Sequence, residues 1–312
     1  MQHAPASQAT DSVSVAVNGT VSDTVSDSVS DSVTWVGVST KMYLGYRDTL
    51  DWLERLRHEV DSRPALAAGR VVPFVIPSFP VLPGAASVLD GSPILLGAQN
   101  CGWADGPWTG EVAPSMLAEL GVCLVEIGHA ERRAHFGETD AVVALKVRAA
   151  DDAGLTPLLC VGELSAGDDA ARDAAAGDDA ARDAAAGDDA ARDAAVFVYR
   201  QIEAAVGSDW ELASRLVVAY EPVWAIGAAE PANAGHVSDV VNHLRELLAG
   251  HGLRQLPVIY GGSAKPGLLP RLAGVSGLFL GRFAHDATNF GAVLDEALLL
   301  AARQKPTAGT VR

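Results

Sequence analysis

An amine, an imidazole and a carboxylate recur in this 312-residue chain at the same kind of place, the end of a short apolar run. Lys41 lies just past the run Trp35–Ser39, His129 ends Val122–His129, and Glu221 ends Leu216–Glu221. Together the three types can move a proton between adjacent carbons. A carboxylate takes the proton, while an imidazole N–H and an ammonium meet the charge left on oxygen. Two further runs end in glycine, at Gly261-Gly262-Ser263 and at Gly281, and glycine lets backbone N–H groups approach an anion closely. Singly, each residue has a plainer reading: a solvated lysine, a glutamate capping a loop before proline, a histidine satisfying a local hydrogen bond. Their shared placement carries the argument.

The elements that must hold them are eight β-rich apolar runs. Besides the three named, these are Val71–Ser78, Ile94–Asn100, Pro157–Glu163, Val258–Gly262 and Leu278–Gly281. Helical patterns lie between them at Thr49–Val60, Pro114–Leu120, Asp140–Asp152, Val237–Ala249 and Thr288–Ala302. Strands alternating with helices imply parallel pairing through right-handed crossovers, and continuous apolar runs suit strands covered on both faces. Eight of them predict an α/β fold closed as a (β/α)8 barrel, whose active site gathers at the C-terminal strand ends.

Two biased segments stand outside this pattern. Residues 21–33 repeat Val, Ser, Asp and Ser/Thr, and residues 1–34 are expected to be a disordered tail. A ten-residue unit, GDDAARDAAA, starts at Gly167, Gly177 and Gly187. Its alanines and the Asp168/Arg172 spacing favour short helical turns, but a glycine every ten residues weakens any continuous helix and no constant apolar face persists, so 167–195 is expected to be a solvated insertion after the fifth strand. The barrel is then placed at 35–305 as a single domain, with a tail at 306–312. Without tail and insertion roughly 250 residues remain, the usual size of such a barrel.

The net charge of −16 argues against nucleic acid or an anionic membrane surface as partner. Residues 1–34 hold four Asp without Lys or Arg, and 167–195 hold nine Asp against three Arg, leaving −6 on the rest. No apolar run is long enough to span a bilayer, and the N-terminus lacks the basic and apolar segments of a secretory signal. Three cysteines make no disulfide framework, so a cytoplasmic setting is expected. The eight histidines form no metal-binding motif, and neither metal nor organic cofactor is expected.

The sequence resembles the triose-phosphate isomerase family, a family of TIM barrels. The resemblance is carried by Glu126-Ile127-Gly128-His129-Ala130-Glu131-Arg132-Arg133, Tyr220-Glu221-Pro222-Val223-Trp224-Ala225-Ile226-Gly227 and Tyr260-Gly261-Gly262-Ser263. Gly97-Ala98-Gln99-Asn100, Trp108-Thr109-Gly110-Glu111 and Lys41-Met42 add to it. It implies isomerisation of glyceraldehyde 3-phosphate and dihydroxyacetone phosphate through an enediolate. Glu221 is then the base, His129 the neutral electrophile, Lys41 the ammonium, and Glu131 a positioning or relay group. Gly227, Gly262, Ser263 and Gly281 would bind the phosphate, beneath a lid at 222–229 with Trp224 at its hinge. The resemblance also implies a small phosphorylated sugar as substrate and a homodimer joined around Trp108–Glu111.

The chain departs from the family at points that touch substrate. Ser39 stands where Asn is usual, Thr40 where Trp is, and Trp108 where Phe is. The lid ends Ala228-Ala229-Glu230-Pro231-Ala232, with Pro231 stiffening it. Arg282 replaces a second phosphate-loop glycine, and is expected to be strained if that position needs φ > 0, or to contact substrate. Isomerases of erythrulose phosphates share an Arg at that place, so a tetrulose phosphate is the alternative substrate. A catalytically silent phosphosugar-binding barrel is the remote third reading.

Overall fold

The apolar runs pair as eight parallel strands in sequence order, and the last closes on the first. They are β1 (Thr34–Ser39), β2 (Val71–Ile76), β3 (Leu95–Ala98), β4 (Leu124–Ile127), β5 (Thr156–Val161), β6 (Val217–Tyr220), β7 (Val258–Gly262) and β8 (Gly277–Leu280). Around them run α1 (Tyr46–Asp61), α2 (Leu82–Leu89), α3 (Pro114–Glu119), α4 (Ala130–Phe136), α5 (Asp140–Asp152), α6 (Ala180–Val206), α7 (Trp210–Ala213), α8 (Ala234–Ala249) and α9 (Ala287–Arg303). The computed structural model describes residues 33–165, 180–228 and 230–303, with only the backbone for 180–187. All of these fall within one compact unit. The expected tails, apart from residues 33 and 34, lie outside the described residues. Thr34 pairs with Val71, so the barrel begins one residue before the expected boundary.

Strand alternation sorts the side chains into two cores. Phe74, Ile76, Leu124, Leu158, Cys160, Val217, Ala219, Ile259 and Phe279 fill the barrel interior. Phe74 and Phe279 stack at 5.6 Å, and a Cβ at Gly37 would overlap the Phe74 ring. The opposite strand faces, among them Val36, Val38, Val75 and Ile127, pack under the helices. Trp52 of α1, fully buried, donates from its indole to the Ala284 carbonyl at 3.0 Å and so ties that helix to the turn after β8.

The repeat corrects an expectation. Rather than remaining a solvated insertion to residue 195, the repeat enters α6 at Ala180, in its second copy, and the helix runs on through Gly187 and the last copy. Ala191, Ala194, Ala195, Val198 and Ile202 form one buried face of that helix. Asp188 pairs with Arg192 one turn on and with His243 of α8, both at 2.8 Å. Packing supplies the apolar partner that the ten-residue spacing does not. Residues 167–179 of the repeat lie outside the described residues. Among the described residues no helix is long and apolar enough to cross a membrane.

Candidate active site

Every residue singled out from sequence as catalytic or substrate-binding lines one cavity of about 310 Å3 at the C-terminal strand ends. Lys41, Glu131, His129 and Glu221 stand on its wall with Ser39, while Gly227, Gly262, Ser263, Gly281 and Arg282 line it from the loops.

His129 immediately precedes α4, and its Nδ1 accepts the backbone N–H of Glu131 at 3.1 Å. A ring nitrogen that accepts carries no proton, so the neutral ring bears its hydrogen on Nε2. Nε2 lies 3.3 Å from Glu221 Oε2. The turn holding His129 is braced from below by buried Glu138. Its carboxylate accepts the Gly128 N–H at 3.1 Å and the side chains of Arg132 and Lys146, each at 2.7 Å. Burial opposes ionisation of Glu138, but Lys146 and Arg132 outweigh it and hold its pKa below the ordinary value. Lys146 also donates to Asn100 at 2.8 Å.

Lys41 is, among the described residues, the one non-glycine with positive φ, at 46°. Gln99 Nε2 and Ser78 Oγ each donate to its carbonyl at 2.8 Å, fixing a backbone conformation that costs an L-residue about 1 kcal/mol. The ammonium lines the cavity, where Nζ donates to Glu131 Oε1 at 2.6 Å. Burial works against this charge. The bond to Glu131 and the charges of Glu131, Glu221 and Glu126 more than offset it, so Lys41 titrates above its ordinary value. Glu131 is likewise pushed up by burial but held below its ordinary value by Lys41.

Glu221 follows β6, and a methyl group on Gly261 of β7 would overlap its carboxyl, so that glycine makes room for the carboxylate. The root of the segment expected to form a lid is anchored by Glu163, which accepts from Trp224 Nε1 at 2.9 Å and from the Tyr220 hydroxyl at 3.1 Å. At the other side of the cavity the Ser263 hydroxyl donates to Ala228 of the lid at 2.5 Å. The lid residue Ala229 lies outside the described residues.

Arg282 departs from expectation. Its φ is not positive and it opens a 3-10 turn, Arg282–His285, so no strain attaches to the substitution. Its guanidinium lies 5.5 Å over the Tyr43 ring, and Tyr43 lines the same cavity.

Sequence reasoning missed Glu126, a buried carboxyl on the cavity floor. The signal was there: a glutamate inside an apolar strand, two residues from inward-facing Leu124. Its Oε1 lies 4.0 Å from His129 Nε2. Burial pushes its pKa up to about 7, with Glu221 adding to the rise while His129, Lys41 and a hydrogen bond from Ser39 oppose it. Among the described residues no three His, Cys, Asp or Glu are grouped to hold a metal ion.

A family model for triosephosphate isomerase matches residues 34–297. The L-erythrulose-1-phosphate isomerase of Pectobacterium atrosepticum is 44% identical over 274 residues, 86% of this chain and 97% of that protein. That of Rhizobium etli is 38% identical over 283 residues, 88% of this chain and 96% of the relative. Among solved structures, the triosephosphate isomerase of Bartonella henselae superposes with a TM-score of 0.65 at 28% identity, covering 87% of this chain and 99% of its own. Likeness that runs from the first strand into the last helix, at this level of identity, leaves one conclusion: the chain belongs to the triosephosphate isomerase family.

Proposed function

We propose that this isomerase acts on L-erythrulose 1-phosphate, the substrate for which its bacterial relatives are named. Of the two sugars expected from sequence, the tetrulose is thus preferred to the triose. The observation that carries the chemistry is the 3.3 Å approach of His129 Nε2 to Glu221 Oε2 in a cavity that also holds the Lys41 ammonium. That intact trio speaks against a silent barrel.

In a ketose 1-phosphate the carbonyl is on C2 and C1 bears the phosphate ester, so the productive enediolate spans C2 and C3. Glu221 takes the proton from C3, and the charge developing on O2 is met by His129 Nε2–H and Lys41. The O3 hydroxyl proton passes to O2 as C3 becomes the carbonyl, and Glu221 returns its proton to C2. One C–H and one O–H bond break and one of each forms. The product is the isomeric ketose, erythrulose 4-phosphate, whereas a triose would give an aldose–ketose pair. Backbone N–H groups at Gly262, Ser263 and Gly281 suit the phosphate at the rim, and the lid from Pro222 excludes water from the enediolate.

Purified enzyme offered L-erythrulose 1-phosphate, dihydroxyacetone phosphate and glyceraldehyde 3-phosphate is expected to give the highest kcat/KM with the tetrulose. Turnover of the trioses alone would retire this substrate, and turnover of none would favour the silent barrel.

A homodimer is part of the same reading. Met42, 91% exposed, and Trp108, 42% exposed and packed on Trp103 at 4.9 Å, leave large apolar groups on the loops after β1 and β3. Light scattering at the monomer mass would refute it. Three free thiols, two of them buried, suit a reducing cytoplasm.

A further inference from the structure

The proton transfer gives Glu126 no task, yet a carboxyl inside a barrel needs a reason. Its neighbours on the inner strand faces are Leu124, Cys160 and Phe279, and its backbone pairs across to Leu158. The side chain is almost wholly buried, and Oε2 has no hydrogen-bond partner. An unmet buried oxygen typically costs about 1–3 kcal/mol, and an apolar side chain would fill the place without that cost. Ser39 gives the carboxyl a side-chain hydrogen bond, and His129 Nε2 stands 4.0 Å from Oε1. Ser39 and Glu126 thus form a polar pair on the floor of a cavity that opens at the strand ends.

The cavity has a direction. Gly262, Ser263 and Gly281 lie at the rim, where the phosphate would sit. Glu221 and His129 come next, at the reacting carbons. Glu126, three residues before His129 on β4, lies one layer deeper. A substrate lying along this line presents to Glu126 whatever it carries beyond the reacting carbons, on the side away from phosphate. A triose phosphate has only hydrogen there on the terminal carbon, while a tetrulose 1-phosphate has a hydroxymethyl group.

We propose that Glu126, paired with Ser39, receives the terminal hydroxymethyl group of a four-carbon substrate, its free oxygen accepting the hydroxyl hydrogen, and so selects the tetrulose over the triose. The assignment rests on the tetrulose reading above. It makes the shortening of Asn to Ser at position 39 intelligible: the smaller side chain leaves room for one more carbon and orients the carboxyl that binds it. A pKa near 7 lets the group accept from the hydroxyl when ionised and donate to it when protonated, so contact survives across neutral pH.

The test compares wild type, Glu126→Val and Glu126→Gln with two ligands. One is L-erythrulose 1-phosphate, followed as kcat/KM. The other is 2-phosphoglycolate, which carries a phosphate and an enediolate-like carboxylate but no hydroxymethyl, followed as an inhibition constant. Glu126→Val is expected to lower tetrulose kcat/KM about 30- to 100-fold, the worth of a hydrogen bond to a charged group. It should bind 2-phosphoglycolate at least as tightly, since a carboxylate is removed from beside the inhibitor's own. Glu126→Gln, which still offers an acceptor of the same shape, should stay within about tenfold of wild type. Weakened 2-phosphoglycolate binding in step with the loss of turnover would make Glu126 a support of the site and overturn the proposal. Tetrulose turnover within threefold of wild type in Glu126→Val would overturn it as well. A wild type that does not turn over the tetrulose at all would instead refute the substrate reading, and this assignment with it.

Discussion

Replacing Glu126 by Gln removes one titrating proton from the barrel interior with little change of shape, and the structure fixes how stability should respond to pH. Burial raises this carboxyl from the ordinary 4.5 to about 7. In the unfolded chain it ionises near its ordinary value. Between these two pH values the native state therefore holds a proton that the unfolded state has lost, and the native state loses stability as pH rises through that window. Each unit of pKa difference is worth about 1.4 kcal/mol, so the full effect is about 3 kcal/mol, most of which falls between pH 5 and pH 8. Glu126→Gln carries no proton there and escapes the loss. Urea unfolding of both proteins at pH 5 and pH 8, at one protein concentration, reads the effect directly. The variant is expected to gain on wild type by about 2–3 kcal/mol between the two conditions, with carboxylates remote from the cavity cancelling in the difference. Parallel stability curves would refute the reasoning, because they would mean that the carboxyl ionises as if in water.

Glu221→Asp withdraws the base by about one methylene from the carbon it serves, and kcat is expected to fall about 100-fold or more in a turnover assay; an unchanged kcat would exclude Glu221 as the base. Lys146→Met leaves Glu138 buried with one cation fewer under the His129 turn, and should cost about 3–5 kcal/mol in urea unfolding. Deleting 167–186 spares the buried Ala191–Ile202 face of α6 and should leave the thermal midpoint within a few degrees, whereas deleting 167–195 removes Ala191, Ala194 and Ala195 and should lower it sharply.

The strands were legible because a parallel barrel covers them on both faces, so each is a plain apolar run. Their ends were not. Val122–His129 reads as one run, but β4 stops at Ile127 because Gly128 turns the chain at a φ of 77°, which is what delivers His129 to the cavity rather than to the sheet. Helix α6 was hidden for a different reason: its alanines are helix formers with little apolar area, and the face they make has meaning only against its neighbours in the fold. Arg282 looked strained because a glycine is usual there, yet the chain enters a 3-10 turn at that residue without positive φ. Lys41, singled out in sequence for its amine and not for its backbone, is the residue that carries the strain, and Gln99, already part of a recognisable motif, is one of the groups that hold it. Motifs therefore named side chains that meet in one cavity, while the forces that aim them came from residues distant in sequence.

On the role proposed for Glu126, a barrel of this kind changes substrate without touching its chemistry. The base, imidazole and ammonium all reach the cavity from loops or turns beyond the strands, so their geometry depends on Gly128, Glu138 and Gln99 rather than on what fills the interior. Interior positions such as 39 and 126 set only the depth and polarity of the floor. A polar pair introduced there lengthens the site by about one carbon at its inner end, while the phosphate remains held at the rim. The desolvation of a second carboxyl near Glu221 is the cost, and it falls on stability at neutral pH rather than on proton transfer. The two effects are separable by experiment: the pH dependence of unfolding reads the cost, and discrimination between the tetrulose and 2-phosphoglycolate reads the gain. A Glu126→Val enzyme that was more stable at pH 8 and equally selective would break the link between them.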